Sequence, residues 1–195
     1  MEVTQPDLIF GWAALLSAVA TLGTAVTGIL FFAVNQVFGK VNDAFSVLQV
    51  LLMLPVAVAL YLLAGPDPGW SALLALAVGC MGMLSVAVLQ AQLVAGKVEF
   101  EQTISRVLTA GAAIGLWLIL ANALALAAGA LSWGLAAFGF VAGVGYLLTA
   151  LGFYRGRQEH PLFYVGSLLM VVGYSVWAIW LGLLLLTGAL ATGAA

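Results

Sequence analysis

The sequence predicts an all-α integral membrane protein with six transmembrane helices in a single domain, residues 1–195. Of its 195 residues, 65% are hydrophobic and only 6% are charged, whereas a soluble domain carries about a quarter charged residues. The apolar residues form six runs, each near the length of about 20 residues that a membrane-spanning helix needs. They lack the alternating strands of about ten residues that are typical of a membrane β-barrel. The predicted helices cover residues 8–34, 44–64, 70–95, 107–128, 133–154 and 162–188.

The first two helices are delimited by polar residues. Thr4 and Asp7 have the spacing of a capping box at the start of the first helix. The polar stretch "VNQVFGKVND", residues 34–43, is interpreted as the turn of the first helical hairpin. In that turn, Asn42 or Asp43 is predicted to cap the second helix.

The remaining helix ends carry similar signals. Gly65 follows the second helix, where a helix C-terminus favours glycine. Asp67 is predicted to be the N-cap of the third helix, with Pro68 as its first helical residue. Ser132 is predicted to cap the fifth helix. His160 precedes a proline and is predicted to mark the start of the sixth.

The basic residues predict the orientation of these helices. They lie only in the first, third and fifth connections, as Lys40, Lys97, Arg106, Arg155 and Arg157. The positive-inside rule places these connections in the cytoplasm, so both termini are expected outside. The N-terminal segment, which contains acidic residues and no basic ones, lacks the basic region of a signal peptide, and the first run is expected to remain as a span. The predicted architecture is therefore three consecutive hairpins.

Few polar side chains lie within the predicted spans, and these are the candidate ligand-binding residues. No Asp, Glu, Lys, Arg or His lies at the predicted midplane, where proton-coupled carriers usually need one. Gln49 and Gln90 lie about two turns inside the basic side of their helices. Either they form hydrogen bonds between helices, or they line a polar pocket together with Arg106 and Tyr154. Asn122 stands deeper, and all three amides are expected to turn inward because lipid offers them no partner.

Small residues predict close packing between helices. The Gly-x-x-x-Gly pattern occurs at residues 111–115, 139–143 and 152–156, and it permits two helices to approach closely. Because the chain contains 23 glycines, these patterns are interpreted as packing within the chain. Pro55 is expected to kink the second helix because it removes a backbone hydrogen bond.

The sequence gives little support to enzyme or cofactor chemistry. It contains one cysteine, Cys80, and one histidine, His160. A single histidine excludes haem ligation by two histidines, and one histidine with one cysteine argues against a Cys/His-rich zinc site. His160 and Glu159 are the one acid–base pair of interest. No basic face suggests nucleic acid as a partner. The protein is therefore expected to be no enzyme and to carry no cofactor or metal.

Two segments resemble small bacterial six-span membrane proteins that have no assigned activity. They are "GVGYLLTALGFYRGRQEHPLFYVGSLLMVVGYSVWAIWLG", residues 143–182, and "NDAFSVLQVLLMLP", residues 42–55. The resemblance implies a protein of the bacterial inner membrane and brings no binding residues with it. The expected function is a non-enzymatic bundle that binds membrane lipid or a hydrophobic partner, or that belongs to a homo-oligomer or larger membrane complex. The alternative is a facilitative transporter of small molecules with a cytoplasm-facing polar pocket.

Overall fold

The computed structural model describes residues 5–35, 37–65 and 67–190. This part of the chain is helical and contains no strand. Its six long helices are each long and apolar enough to cross a membrane, which confirms the predicted helical class. Thr4, half of the predicted capping box, lies outside the described residues. The helices are α1 (Gln5–Ala33), α2 (Phe38–Leu63), α3 (Gly69–Val94), α4 (Phe100–Ala127), α5 (Trp133–Gly156) and α6 (Pro161–Leu186), with a short 3₁₀ helix (Arg157–Glu159) between the last two.

The six helices form a closed ring. Each helix packs against the helices before and after it in the chain, and α6 returns to pack against α1. In addition, α2 touches α4 across the bundle. Because the connections are short, successive helices run in opposite directions, as the predicted hairpins require. One end of the ring therefore carries the α1–α2, α3–α4 and α5–α6 connections, and we call it the basic end.

The start of α2 differs from the prediction. The helix begins at Phe38 rather than residue 44, after Val37, and it has no side-chain cap. The Val37 N–H instead donates to Asn35 Oδ1 at 2.9 Å. The prediction that Asn42 or Asp43 caps this helix is therefore wrong, because both residues lie in its interior.

Contacts with α1 explain why α2 extends through this polar stretch. The Phe45 ring packs directly on Gly23, where an added Cβ would lie 2.8 Å from it. Asn42 Nδ2 donates to the Thr24 carbonyl oxygen at 2.7 Å. Asn42 thus satisfies a backbone group of the neighbouring helix, and α2 gains about a turn and a half beyond its apolar run.

The starts of α3 and α4 also differ. Pro68 is the residue that precedes α3, and no side chain caps this helix. The prediction that Asp67 is the N-cap is therefore wrong. Gly69 has a left-handed φ of 69°, and the turn at this glycine leaves Asp67 one residue too early to cap the helix. The fourth helix starts at Phe100 instead of residue 107, since no glycine or proline interrupts the segment before Gly111.

Three predicted helix ends are confirmed. Ser132 caps α5, because its Oγ accepts a hydrogen bond from the Leu135 N–H at 3.3 Å. His160 precedes α6, and its Nδ1 accepts from the Leu162 N–H at 3.2 Å. Gly65 follows α2 with φ of 110°, a conformation that favours glycine.

Glycines permit close approaches between neighbouring helices. A Cβ added at Gly115 of α4 would lie 2.7 Å from the carbonyl oxygen of Gly143 of α5, and a Cβ at Gly143 would lie equally close to the oxygen of Gly115. Gly11 of α1 and Gly182 of α6 meet in the same way where the ring closes. The Gly-x-x-x-Gly patterns at 111–115 and 139–143 thus pack α4 against α5 within the chain.

Candidate functional site

Gln49 lies on the buried face of α2. Its side chain is 6% exposed, and its amide Nε2 donates a hydrogen bond to the Tyr146 hydroxyl of α5 at 3.2 Å. An amide without a partner in an apolar interior costs several kcal/mol, which explains its inward orientation. Because α2 and α5 are not neighbours in the ring, this bond crosses the interior of the bundle.

Two glycines of α4 make room for the Tyr146 side chain. A Cβ at Gly111 would lie 3.5 Å from Cδ1 of the tyrosine ring, and a Cβ at Gly115 would lie 2.8 Å from the tyrosine Cβ. The ring therefore passes over the glycine surface of α4, and its hydroxyl reaches Gln49. Gly115 is the more critical of the two, because a methyl group there would press on the tyrosine Cβ, whereas one at 111 would make an ordinary contact.

Two more hydrogen bonds join fully buried side chains of different helices, one between the ring neighbours α1 and α6 and one across the interior between α4 and α6. The Ser17 Oγ of α1 and the Tyr174 hydroxyl of α6 lie 2.7 Å apart. Trp177 Nε1 of α6 donates to Asn122 Oδ1 of α4 at 2.9 Å, and Asn122 Nδ2 donates to the Leu118 carbonyl oxygen. Asn122 is thus turned inward, as the sequence predicts, and both ends of its amide have partners.

Sequence reasoning missed Ser17, Tyr146, Tyr174 and Trp177 as members of this interior network. A signal was present for the two tyrosines, because each lies in the middle of an apolar run, far from the membrane boundary. A buried tyrosine hydroxyl usually finds a hydrogen-bond partner. The partners themselves are separated by 97 to 157 residues along the chain, so their identity depends on the ring arrangement.

Gln90 of α3 is also buried, at 9% exposed. Its carbonyl oxygen Oε1 has no hydrogen-bond partner among the described residues. The neighbouring inward positions of α3, Val86, Ala87 and Leu93, are apolar. Gln90 is therefore a buried acceptor in an apolar setting. A polar ligand or a water molecule that donated a hydrogen bond to its Oε1 would satisfy it.

Arg106 and Tyr154 lie on the outer surface of the bundle. Arg106 is exposed, and Tyr154 is 61% exposed. The Tyr154 hydroxyl lies 2.6 Å from Thr109 Oγ1 and donates to the Ser105 carbonyl oxygen at 3.2 Å, both on α4. The four candidate residues thus occupy two environments. Gln49 and Gln90 lie inside the ring, whereas Tyr154 and Arg106 are exposed on the outer surface.

Large side chains fill the interior around these polar groups. Trp117 and Trp177 are fully buried and meet edge to face, with ring centroids 6.5 Å apart. A cavity of about 10 Å³ lies between α2, α3 and α4 near the end opposite to the basic end, close to the minimum space for one water molecule. Alanine and leucine side chains line it together with Tyr61 and Trp117. It does not reach Gln49 or Gln90.

Of the acid–base pair His160 and Glu159, only His160 has a structural role. His160 Nδ1 accepts the hydrogen bond that caps α6, and Glu159 is exposed beside it. The nearby Arg157 forms an exposed ion pair with Glu101 at 3.4 Å. Within the described residues, no group of three His, Cys, Asp or Glu side chains is placed to hold a metal ion.

Comparison of the chain with protein-family models, curated proteins and solved structures found no match. The resemblance to bacterial six-span membrane proteins therefore stays a prediction.

Proposed function

We propose that this chain is a non-enzymatic, multi-pass bundle of the bacterial inner membrane that binds a lipid-like or other hydrophobic partner on its membrane-facing surface, alone or as an accessory subunit of a larger complex. The observation that best supports this proposal is that polar side chains in the interior are paired with one another. Gln49 and Tyr146, Ser17 and Tyr174, and Trp177 and Asn122 form hydrogen bonds with each other. Groups that are already paired are poor ligand-binding groups, because a ligand would have to replace those bonds.

The outer surface supports binding of an apolar partner. Every long helix exposes large apolar side chains, for example Ile29 of α1, Met81 of α3 and Leu168 of α6, each more than 60% exposed. In a bilayer, acyl chains cover such side chains, and helix association there depends on van der Waals packing and a few polar contacts. An apolar flank of this kind is suited to lipid or to another transmembrane helix.

Gln90 supports the alternative function, a facilitative transporter. Its unpartnered, buried Oε1 would be satisfied if the interior opened and a small polar solute or water entered from the basic end. Gln49 lies on the neighbouring helix, closer to the middle of the bundle. The filled interior makes this function the second choice.

A double variant separates the two functions. Gln49→Leu/Gln90→Leu removes the two interior glutamine amides and leaves the outer surface unchanged. If binding takes place on the outside, native mass spectrometry of the detergent-purified protein should show the same retained lipid for wild type and variant. Proteoliposomes should show the same solute permeability as protein-free vesicles. Solute flux through wild-type proteoliposomes that the double variant abolishes would refute surface binding and establish transport.

The proposed orientation has both termini outside and the basic end in the cytoplasm. All five Lys and Arg residues belong to the connections and helix ends of the basic end, and the positive-inside rule assigns such an end to the cytoplasm. A reporter fused after Ala195 should be active only when it requires export. A fusion that is active only in the cytoplasm would overturn this orientation.

A further inference from the structure

We infer that Phe31 of α1 and Phe100 of α4, which we call the aromatic pair, form a barrier that separates the buried Gln90 from water and small polar solutes at the basic end. Their ring centroids lie 6.3 Å apart at an angle of 46°, a distance at which aromatic side chains attract each other. Because α1 and α4 are not neighbours in the bundle, this contact spans the interior rather than a seam between adjacent helices.

Both members of the aromatic pair lie on the inward faces of their helices. Phe31 follows the fully buried Ser17 by fourteen residues, which is almost four full turns at 3.6 residues per turn. Phe100 precedes the fully buried Leu118 by eighteen residues, or five full turns. Each phenylalanine therefore points in the same direction as a core residue of its own helix, and both side chains are partly buried.

Gly39 of α2 provides the surface on which the Phe31 ring lies. A Cβ added at Gly39 would lie 3.0 Å from Cδ2 and Cε2 of that ring. Gly39 precedes the buried residues Ser46 and Val50 by two and three turns, so it belongs to the inward face of α2. Three helices, α1, α2 and α4, thus contribute their inward faces to the contact at the basic end.

Gln90 lies deeper in the bundle than the aromatic pair. A Cβ added at Gly82 of α3 would lie 2.8 Å from the Ala110 carbonyl oxygen and 3.1 Å from the Ile114 nitrogen of α4. Because the two helices are antiparallel, Gln90, eight residues nearer the basic end, is level with the turn of α4 at 102–106. The first residue of α4 lies a further two to six residues towards that end, or about 3–9 Å. The aromatic pair therefore lies between Gln90 and the solution at the basic end.

The polar groups behind the aromatic pair offer hydrogen-bond acceptors. Gln90 Oε1 is buried and has no partner among the described residues. Thr103 and Ser46 are also buried, and their hydroxyls donate to the carbonyl oxygens of Glu99 at 2.9 Å and of Asn42 at 3.0 Å. Each hydroxyl oxygen still has lone pairs to accept a bond. A water molecule or a small solute with N–H or O–H groups would therefore complement this part of the interior if it passed the barrier.

The barrier can be tested without lipid or any other ligand, on the whole chain in detergent. In a Cys80→Ala background, Gln90→Cys places a single thiol behind the aromatic pair. Its reaction with 2-sulfonatoethyl methanethiosulfonate, a charged reagent that stays in water, is followed by mass spectrometry. The thiol at position 90 should react at least about tenfold more slowly than one introduced by Gln102→Cys at an exposed position, because burial excludes the reagent and disfavours the reactive thiolate. Phe100→Ala and Phe31→Ala should each raise the rate at position 90 about tenfold, since they admit water and reagent.

Matched variants separate a barrier from general loosening of the bundle. Phe163→Ala removes one ring of a similar pair at the same end, with Phe153 at 6.5 Å and 48°, but that pair lies in the seam between the neighbours α5 and α6. It should leave the rate at position 90 unchanged. Met53→Cys places a thiol at a fully buried position further from the basic end, and this thiol should stay unreactive when Phe100 is replaced. Phe100→Leu keeps an apolar side chain and should raise the rate at position 90 less than alanine does, which provides a test should the alanine variant fail to fold.

Equal rates at position 90 with and without the aromatic pair would overturn the barrier, as would a thiol there that reacts as fast as one at position 102 while both rings are present. A rise of the same size with Phe163→Ala, or an equal rise at position 53, would also overturn it, because the pair would then only support the fold. These rates do not depend on what binds to the outer surface, so the loss of the barrier would leave the proposed function intact.

Discussion

Replacing Gly115 with alanine is expected to destabilise the bundle, whereas the same replacement at Gly111, one turn earlier on α4, is expected to be tolerated. Both glycines are in the helix interior and neither has a positive φ. A new methyl group at 111 would meet only the edge of the Tyr146 ring at 3.5 Å, an ordinary contact distance. At 115 it would meet the carbonyl oxygen of Gly143 at 2.7 Å. That oxygen belongs to the α5 backbone and cannot move by side-chain rotation.

The magnitude follows from this distance. Ordinary contacts begin at 3.4 Å, so α4 and α5 would have to separate by 0.7 Å (3.4 − 2.7) to admit the methyl group. A gap of 0.5–1 Å forfeits a quarter to a half of each dispersion contact along the seam, and overpacking typically costs about 1–3 kcal/mol. The gain in helix propensity from glycine to alanine, about 1 kcal/mol, is common to both variants. Gly115→Ala should therefore be about 1–3 kcal/mol less stable than Gly111→Ala.

The difference can be measured by titrating the detergent-folded protein with sodium dodecyl sulfate and following the fluorescence of its six tryptophans. Gly143→Ala provides a reciprocal variant, since its methyl group would lie 2.7 Å from the Gly115 oxygen. It should shift the unfolding midpoint in the same direction as Gly115→Ala. Equal midpoints for Gly111→Ala and Gly115→Ala would refute the proposed backbone contact between α4 and α5.

Two further predictions concern the interior hydrogen bonds. Gln49→Leu should lower the free energy of unfolding by about 0.6 kcal/mol and at most about 1.7, because it removes a partner of Tyr146. Gln90→Leu should be neutral or stabilising, since the Gln90 Oε1 has no partner to lose. If the same titration showed that Gln90→Leu is less stable than Gln49→Leu, this reasoning would be contradicted. In a double-mutant cycle of Ser17→Ala and Tyr174→Phe, we expect a coupling energy of about 0.6 kcal/mol from their 2.7 Å contact. A coupling energy of zero would show that this bond does not stabilise the fold.

The apolar runs predict the number, order and class of the helices, because a run of about 20 apolar residues has few stable states other than a helix in lipid. Local capping chemistry at Ser132 and His160 is predicted equally well, since cap and capped N–H are only two or three residues apart. The apolar runs place the starts of α2 and α4 six and seven residues later than the structure does. Hydropathy marks the part of a helix that lipid covers, whereas the helix itself continues into the headgroup layer for as long as its backbone bonds are satisfied.

Sequence alone also gives the depth of a polar side chain, because each helical residue advances 1.5 Å along the axis. This depth predicts that Gln49, Gln90, Arg106 and Tyr154 lie in the same half of the bundle. Only the tertiary structure decides in which direction each side chain points, since the rotation of a helix about its axis is set by its neighbours. Gly115 determines how closely α5 approaches α4, and that approach brings Tyr146 to Gln49. The separation of two buried glutamines from a surface arginine and tyrosine therefore comes from the packing of the helices against one another.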